Sequence, residues 1–215
     1  MRTPPFRLRY MPLVALLFAL FCFVGCATTV DETTEEINAA LELGELYLAE
    51  GNFDKAIEIY DRGLEVHSEN EKLLYNKTAA LIKANRFDEA AALAEAAYRQ
   101  HPHLLRFAKA QATSLELAGK GIEAIPAWEE IVSLDPADTT SRIRLMNLLV
   151  ESQRYDDATA HAWYLLERKS ADADALKALA VIDQSRGGNG EPWISLVKTG
   201  FPAPLQSKQN QEPPQ

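Results

Sequence analysis

Apolar and small residues recur along this chain at a fixed spacing of 34 residues. One column of the repeat is always alanine, at Ala56, Ala90, Ala124 and Ala158. Another is aromatic in three copies and glycine in one, at Phe53, Phe87, Gly121 and Tyr155. Within a copy, apolar residues at helical spacing flank a short polar turn, as Leu41 and Leu48 precede Gly51 and Ile57 and Leu64 follow it. Such self-similarity predicts a solenoid of helix pairs.

The end of each copy is marked by a residue that interrupts a helix. A proline or serine occupies this column, at Ser68, Pro102, Pro136 and Ser170. Five positions earlier stands a small or apolar residue, at Gly63, Ala97, Ile131 and Leu165. Ser68-Glu69-Asn70-Glu71 also has the spacing of a capping box, which predicts that the second copy starts its helix there with Ser68 as the cap.

From about Glu36 to Ser170, these columns resemble the tetratricopeptide repeat (TPR), a helix-turn-helix unit of 34 residues. In that family a small residue lies where the two helices cross, since only a small side chain lets backbones approach to roughly 8 Å. The resemblance implies an all-α fold, a right-handed α-solenoid of about four helix-turn-helix repeats plus a C-terminal capping helix. We expect repeats at 37–70, 71–104, 105–138 and 139–172 and a cap at 173–185.

Some positions depart from the family pattern. The family's glycine is Gly44 in the first copy, and the later copies have Thr78, Ala112 and Met146 there. Lys77 and Gln111 stand at positions that are normally apolar. After the cap, residues 186–202 form a Gly-rich turn and an apolar strap containing Trp193, which either folds back on the last repeat or binds a partner. The composition of residues 203–215 is that of a disordered tail.

The first 25 residues have the pattern of an export signal. Three arginines precede an uncharged apolar run from Leu13 to Val24, which is too short to span a bilayer as a helix. At the end of this run, Phe23-Val24-Gly25-Cys26 resembles the bacterial lipobox, which implies cleavage before Cys26 and lipidation of its thiol. Residues 26–36 would then be the lipidated cysteine and a tether, with a helix starting at Thr33 or Thr34. The alternative is an ordinary signal peptide that happens to end in cysteine.

Charge and composition narrow the function classes. Removal of residues 1–25 takes away three arginines and no acids, so the net charge falls from −9 to −12. A protein this acidic is a poor ligand for nucleic acid. His101 and His103 are the only close histidine pair and have no cysteine nearby, which argues against a metal site. The sequence contains no phosphate-binding loop or nucleophile motif, so we expect neither an enzyme nor a cofactor.

The resemblance places binding on the first helices of successive repeats, which line a concave groove in the family. Carried over position by position, the groove candidates are Asn38, Lys72, Tyr75, Asn76, Arg106, Lys109, Thr113, Arg144, Asn147 and Lys177. The five cations among them suggest a groove for an acidic segment of a protein partner. The alternative is ordinary charge balance on helix surfaces. Thr113 and Arg144 stand where the family's carboxylate clamp needs asparagines, so that clamp is not expected.

Two function classes follow. The first is a non-catalytic scaffold or adaptor, lipid-anchored in the bacterial envelope and facing the periplasm, that assists complex assembly or transport. The second is an accessory subunit of a solute transporter that holds a small molecule in the groove, with Leu41, Tyr75 and Ile143 as its wall. Homo-oligomerisation through the Trp193 segment is a further expectation. Ala27, rather than aspartate, follows the cysteine, which favours the outer membrane.

Overall fold

All regular structure in the described part of the computed structural model, residues 34–169 and 172–199, is helical. The predictions for Cys26, the tether before residue 34 and the tail lie outside these residues. We number the helices α1 to α10 in chain order: α1 (34–49), α2 (Phe53–Val66), α3 (Glu71–Lys83), α4 (Phe87–Gln100), α5 (Leu105–Leu117), α6 (Gly121–Leu134), α7 (Thr139–Glu151), α8 (Tyr155–Arg168), α9 (Ala173–Ser185) and α10 (Glu191–Thr199).

The chain divides into two compact units at the Ala80–Leu81 junction, which lies within α3. Unit one contains α1, α2 and most of α3. Unit two contains the end of α3 and all the later helices, and each of these packs against the next one along the chain from α4 to α10. This order makes each unit a succession of antiparallel helix hairpins.

The turn inside each helix pair repeats the same backbone conformation. Its central residue has a positive φ in all four copies, at Gly51 (76°), Asn85 (59°), Gly119 (75°) and Gln153 (62°). In the fourth copy the Gln153 amide donates to the Val150 carbonyl and the Arg154 amide donates to the Leu149 carbonyl. This is the Schellman arrangement, which satisfies the last carbonyls of a helix and favours glycine or asparagine at its left-handed residue.

Three of the first helices, α3, α7 and α9, are capped by a side chain one position before they begin. The Asn70 carboxamide oxygen accepts from the amides of Lys72 and Leu73, so Asn70 caps α3 and the predicted Ser68 cap is wrong. The chain makes a turn at 68–69, which leaves Asn70 as the residue next to the first free amides. Asp138 and Asp172 cap α7 and α9 in the same way.

In unit one the core depends on a close approach between α1 and α2. Ala56 and Tyr60 are fully buried on α2, and the Tyr60 ring lies directly over Gly44 on α1. A methyl group at Gly44 would overlap with ring atoms of Tyr60, so only glycine fits beneath this ring. Burial raises the pKa of Tyr60 to about 12, and the charge of Glu45 adds to this effect.

In unit two a single apolar core extends from α5 to α9. It contains Ala124 and Ala158 of the alanine column, and also Ala112, Met146 and Trp128. The segment predicted as a strap is the helix α10, which packs on α9. Its Trp193 ring meets the Trp163 ring edge to face at 5.9 Å between centroids, an arrangement that aromatic pairs prefer. Within the described residues, no helix has both the length and the apolar character that a membrane span requires.

The Gly44–Tyr60 contact leads to a double-mutant prediction. Gly44→Thr should destabilise the protein because its side chain collides with the ring, and Tyr60→Ala should cost about 3 kcal/mol through the cavity it leaves. The double variant recreates the Thr78 and Ala94 pair that the second repeat has at these positions. We expect a favourable coupling of about 1–2 kcal/mol in urea unfolding. If the losses in unfolding free energy of the two single variants add up to that of the double variant, the two side chains do not compete for the same volume.

The positive φ of Gln153 leads to a second prediction. Gln153→Gly should raise the free energy of unfolding by about 0.5–1 kcal/mol, because a non-glycine residue is strained in this conformation and glycine is not. The matched change Gly119→Gln should lower it by a similar amount. Thermal unfolding of the two variants beside the parent chain measures both effects. A lower melting temperature for Gln153→Gly would contradict the assignment of strain to this turn.

Candidate functional site

The groove candidates of unit one lie on α1 and α3. Asn38, Lys72 and Tyr75 are exposed, and Asn76 is partly buried. The Asn76 carboxamide donates to Glu45 at 3.4 Å, which joins the two helices across this face. The face therefore combines an aromatic ring, amide groups and one lysine.

The groove candidates of unit two lie on α5, α7 and α9. Arg106, Arg144, Asn147 and Lys177 are exposed, while Lys109 and Thr113 are partly buried. These helices are the first members of their pairs, as the resemblance implied. Whether the cations on these helices are free to bind a partner depends on the acidic side chains beside them.

Lys109 is paired with a carboxylate that has a structural role. Its Nζ lies 2.6 Å from Asp138 Oδ2, and the same carboxylate accepts from the Ser141 amide and hydroxyl to cap α7. Burial alone would raise the pKa of Asp138, but the hydrogen bonds from Lys109 and Ser141 outweigh it and hold the pKa at about 2. Asp138 is therefore ionised at neutral pH and fixes the position of the lysine.

Arg144 is held in a similar way. Its Nη1 donates to Glu116 Oε2 at 3.1 Å, and the other oxygen of Glu116 accepts from the buried Trp128 indole at 2.6 Å. Lys177 has a weaker partner one turn away on its own helix, with 3.8 Å between its Nζ and Asp174 Oδ1. Lys109, Arg144 and Lys177 thus each lie beside a carboxylate of the same unit.

On this face of α5, α7 and α9, three cations thus have their positions restricted by ion pairs. We call them held cations. The side chains of Lys109 and Arg144 remain 41% and 46% exposed, so both are accessible despite their partners. Sequence analysis did not single out Asp138 or Glu116, because neither is close in sequence to the cation it meets. Whether the candidates bind a partner stays a prediction.

A second surface feature is an apolar groove between α1 and α2. It has a volume of about 380 Å³ and is lined mainly by Ala39, Ala40, Leu43, Ile59 and Val66. Leu41 and Tyr75, which were predicted as ligand walls, do not line it. In unit two the rings of His101 and His103 are 6.3 Å apart. Among the residues that the structure describes, no three His, Cys, Asp or Glu side chains gather to hold a metal ion.

Comparisons with known proteins agree with this fold. Residues 47–113 match the family model described as tetratricopeptide repeat. YrrB, described as a TPR protein with an unusual peptide-binding site, is similar in structure at 19% identity, with a TM-score of 0.67 and coverage of 85% of this chain and 97% of YrrB. The MamA protein is similar at 12% identity, with a TM-score of 0.70 and coverage of 85% of this chain and all of MamA.

A TPR protein from Parabacteroides merdae ATCC 43184 is also similar, at 16% identity and a TM-score of 0.69, over 79% of this chain and 68% of that one. No curated protein sequence matches the chain. At these identities the likeness concerns the fold alone. The predicted fold class, an all-α repeat solenoid, is confirmed, and residues 47–113 carry the sequence pattern of the tetratricopeptide repeat.

Proposed function

We propose that this protein is a lipid-anchored adaptor of the bacterial envelope, facing the periplasm, that binds a protein partner without catalysis. It would hold the partner during assembly of an envelope complex or during transport. Cys26 would carry the lipid, and the first helices of the repeats would contact the partner. The outer membrane is the proposed location of the anchor.

The observation that carries this proposal is the set of held cations on α5 and α7. A lysine offers three hydrogen-bond donors and an arginine five, so Lys109 and Arg144 keep donors for a partner while Asp138 and Glu116 fix their positions. Side chains that are already ordered lose less entropy when a ligand binds. A partner peptide would therefore find donors at fixed positions for its carbonyl or carboxylate oxygens.

The exposed residues around these cations favour an extended, partly acidic peptide. Thr113 and Asn147 add neutral hydrogen-bonding groups to the same helices. Arg106 and Lys177 would attract acidic residues over a longer range, although salt weakens such attraction. YrrB, whose description includes a peptide-binding site, supports a peptide as the class of ligand. The absence of a motif for chemistry in the sequence supports a binding role over an enzymatic one.

Charge reversal on the first helices should remove the partner. We would express the full chain with a C-terminal tag in its source cells, crosslink the membranes and identify the captured proteins. The parent chain should capture a stoichiometric partner, and Arg106→Glu combined with Lys177→Glu should reduce its yield at least tenfold. Lys109 and Arg144 are left unchanged because their ion pairs also stabilise the fold.

The matched control reverses two exposed arginines on second helices, Arg62→Glu with Arg99→Glu. Each forms an exposed ion pair with a glutamate one turn away on its own helix, so the loss of this pair should cost well under ~1 kcal/mol. This control should keep the partner. Equal capture by all three proteins would contradict the proposed attraction of an acidic partner by Arg106 and Lys177, and loss in the control alone would move the partner to the second helices.

The anchor has a separate test at Cys26. Cells fed with labelled palmitate should incorporate the label into the parent chain, and Cys26→Ser should abolish incorporation and release the protein from washed membranes. Two or three acyl chains hold a protein stably on a bilayer. Unchanged membrane association of an unlabelled Cys26→Ser variant would contradict the lipoprotein assignment.

A further inference from the structure

Unit two contains a buried arginine that has no acidic partner among the described residues. Arg142 on α7 is only 7% exposed. Its Nη1 lies 3.0 Å from His161 Nδ1, its Nη2 donates to the Pro136 carbonyl at 3.3 Å, and its Cζ lies 3.6 Å from the centre of the Tyr164 ring. Its buried Nε has no hydrogen-bond partner among the described residues. We call Arg142, His161, Tyr164, Arg168 and the Pro136 carbonyl the Arg142 cluster.

The repeats provide an internal comparison that singles out this cluster. At the position of Arg142, the other copies have only apolar residues: Ala40, Leu74, Ala108 and Leu176. The position of His161 is likewise apolar elsewhere, with Ile59, Leu93 and Ala127. The fold therefore does not need a charge at these positions. A polar group that breaks a local rule in one repeat points to a function rather than to packing.

The charges around the cluster do not balance. Arg168 on α8 lies on the same aromatic ring, with its Cζ 5.0 Å from the centre of Tyr164. Neither Arg142 nor Arg168 forms an ion pair with a carboxylate of the described residues, although exposed cations elsewhere in unit two do. The carboxylates that act on His161, Glu129 and Asp157, are both bound by Arg154.

His161 cannot supply the missing charge. Its Nδ1 faces an arginine that can only donate, so the ring accepts there and carries its proton on Nε2. Burial lowers the pKa of His161, and the charge of Arg142 lowers it further, which keeps the ring neutral. Burial also lowers the pKa of Arg142, yet a guanidinium does not give up its proton in a protein. A buried cation with neutral neighbours is costly unless an anion accompanies it.

We infer that the Arg142 cluster is a binding site for a small oxyanion such as phosphate. The guanidiniums of Arg142 and Arg168 would donate to the anion, because arginine's planar donors match the oxygens of phosphate. Tyr164 is partly exposed and Arg168 is exposed, so the cluster is open to solvent on that side. The site belongs to α7, α8 and the segment before α7, and it uses none of the residues proposed for partner binding.

The test compares inorganic phosphate with chloride at equal ionic strength and pH 7.5, using the full chain. Isothermal titration with phosphate should give saturable binding, and the melting temperature should rise with phosphate more than with chloride. Arg142→Leu, which installs the residue of the second repeat and the cap, should weaken phosphate binding at least tenfold and remove the phosphate-dependent rise. If the parent chain shows no saturable binding up to about 50 mM phosphate, the inference is overturned.

Two further variants keep the test decisive. Arg168 lies at the exposed side of the cluster, so Arg168→Gln should fold even if Arg142→Leu does not. Arg168→Gln should weaken phosphate binding in the same way. Arg99→Gln, an exposed arginine on α4 outside the cluster, should bind phosphate like the parent chain. Full binding by a folded Arg142→Leu, or by Arg168→Gln, overturns the inference. An equal loss in Arg99→Gln would show a general surface effect and would overturn it as well.

Discussion

The helix packing of unit one depends on a volume that one position on α1 and one position on α2 share. Gly44 leaves room for the Tyr60 ring, which is fully buried over it. The later repeats have Thr78 with Ala94, Ala112 with Trp128, and Met146 with Ala162 at the corresponding positions, and all of these residues are buried. In three of the four copies, a large residue at one of these positions goes with a small residue at the other. Interiors are close-packed, so a large side chain at one position leaves room only for a small one at the position that it meets.

That exchange explains why the fold could be predicted from the sequence and why single columns could not be interpreted alone. The alanine column and the period sufficed for the architecture, because the same small residue recurs in every copy and is fully buried in each of them. Thr78, Ala112 and Met146 depart from the family pattern only when each is considered without its partner sixteen positions on. Lys77, which also departs from it, is accommodated by an ion pair with Asp61. The cap of α3 was assigned to Ser68 because spacing alone cannot distinguish it from Asn70, whose side chain makes the hydrogen bonds.

The candidate site was less predictable because its chemistry depends on contacts between repeats. The period places Lys109, Arg144 and Lys177 on first helices, and the structure has them there. The carboxylates that hold Lys109 and Arg144 come from other helices or their caps, namely Asp138 and Glu116. A net positive stripe and a set of fixed ion pairs have the same sequence signature. They differ in how they bind a ligand. A held cation presents its donors in a fixed direction and loses little entropy on binding, whereas a solvated cation contributes mainly long-range attraction.

The same reasoning applies to Arg142, whose sequence signal was present but required a comparison among the repeats. Each repeat of a solenoid contacts mainly its neighbours, so a polar substitution in one helix pair does not have to be accommodated throughout the fold. The pair α7 and α8 can therefore carry a guanidinium where the others carry alanine or leucine, and the cost falls on that pair alone. Trp128 also acts only on neighbouring helices, because its indole donates to Glu116, which in turn positions Arg144. In this protein, the positions that repeat set the spacing of the helices, and the positions that fail to repeat are where binding chemistry can be placed.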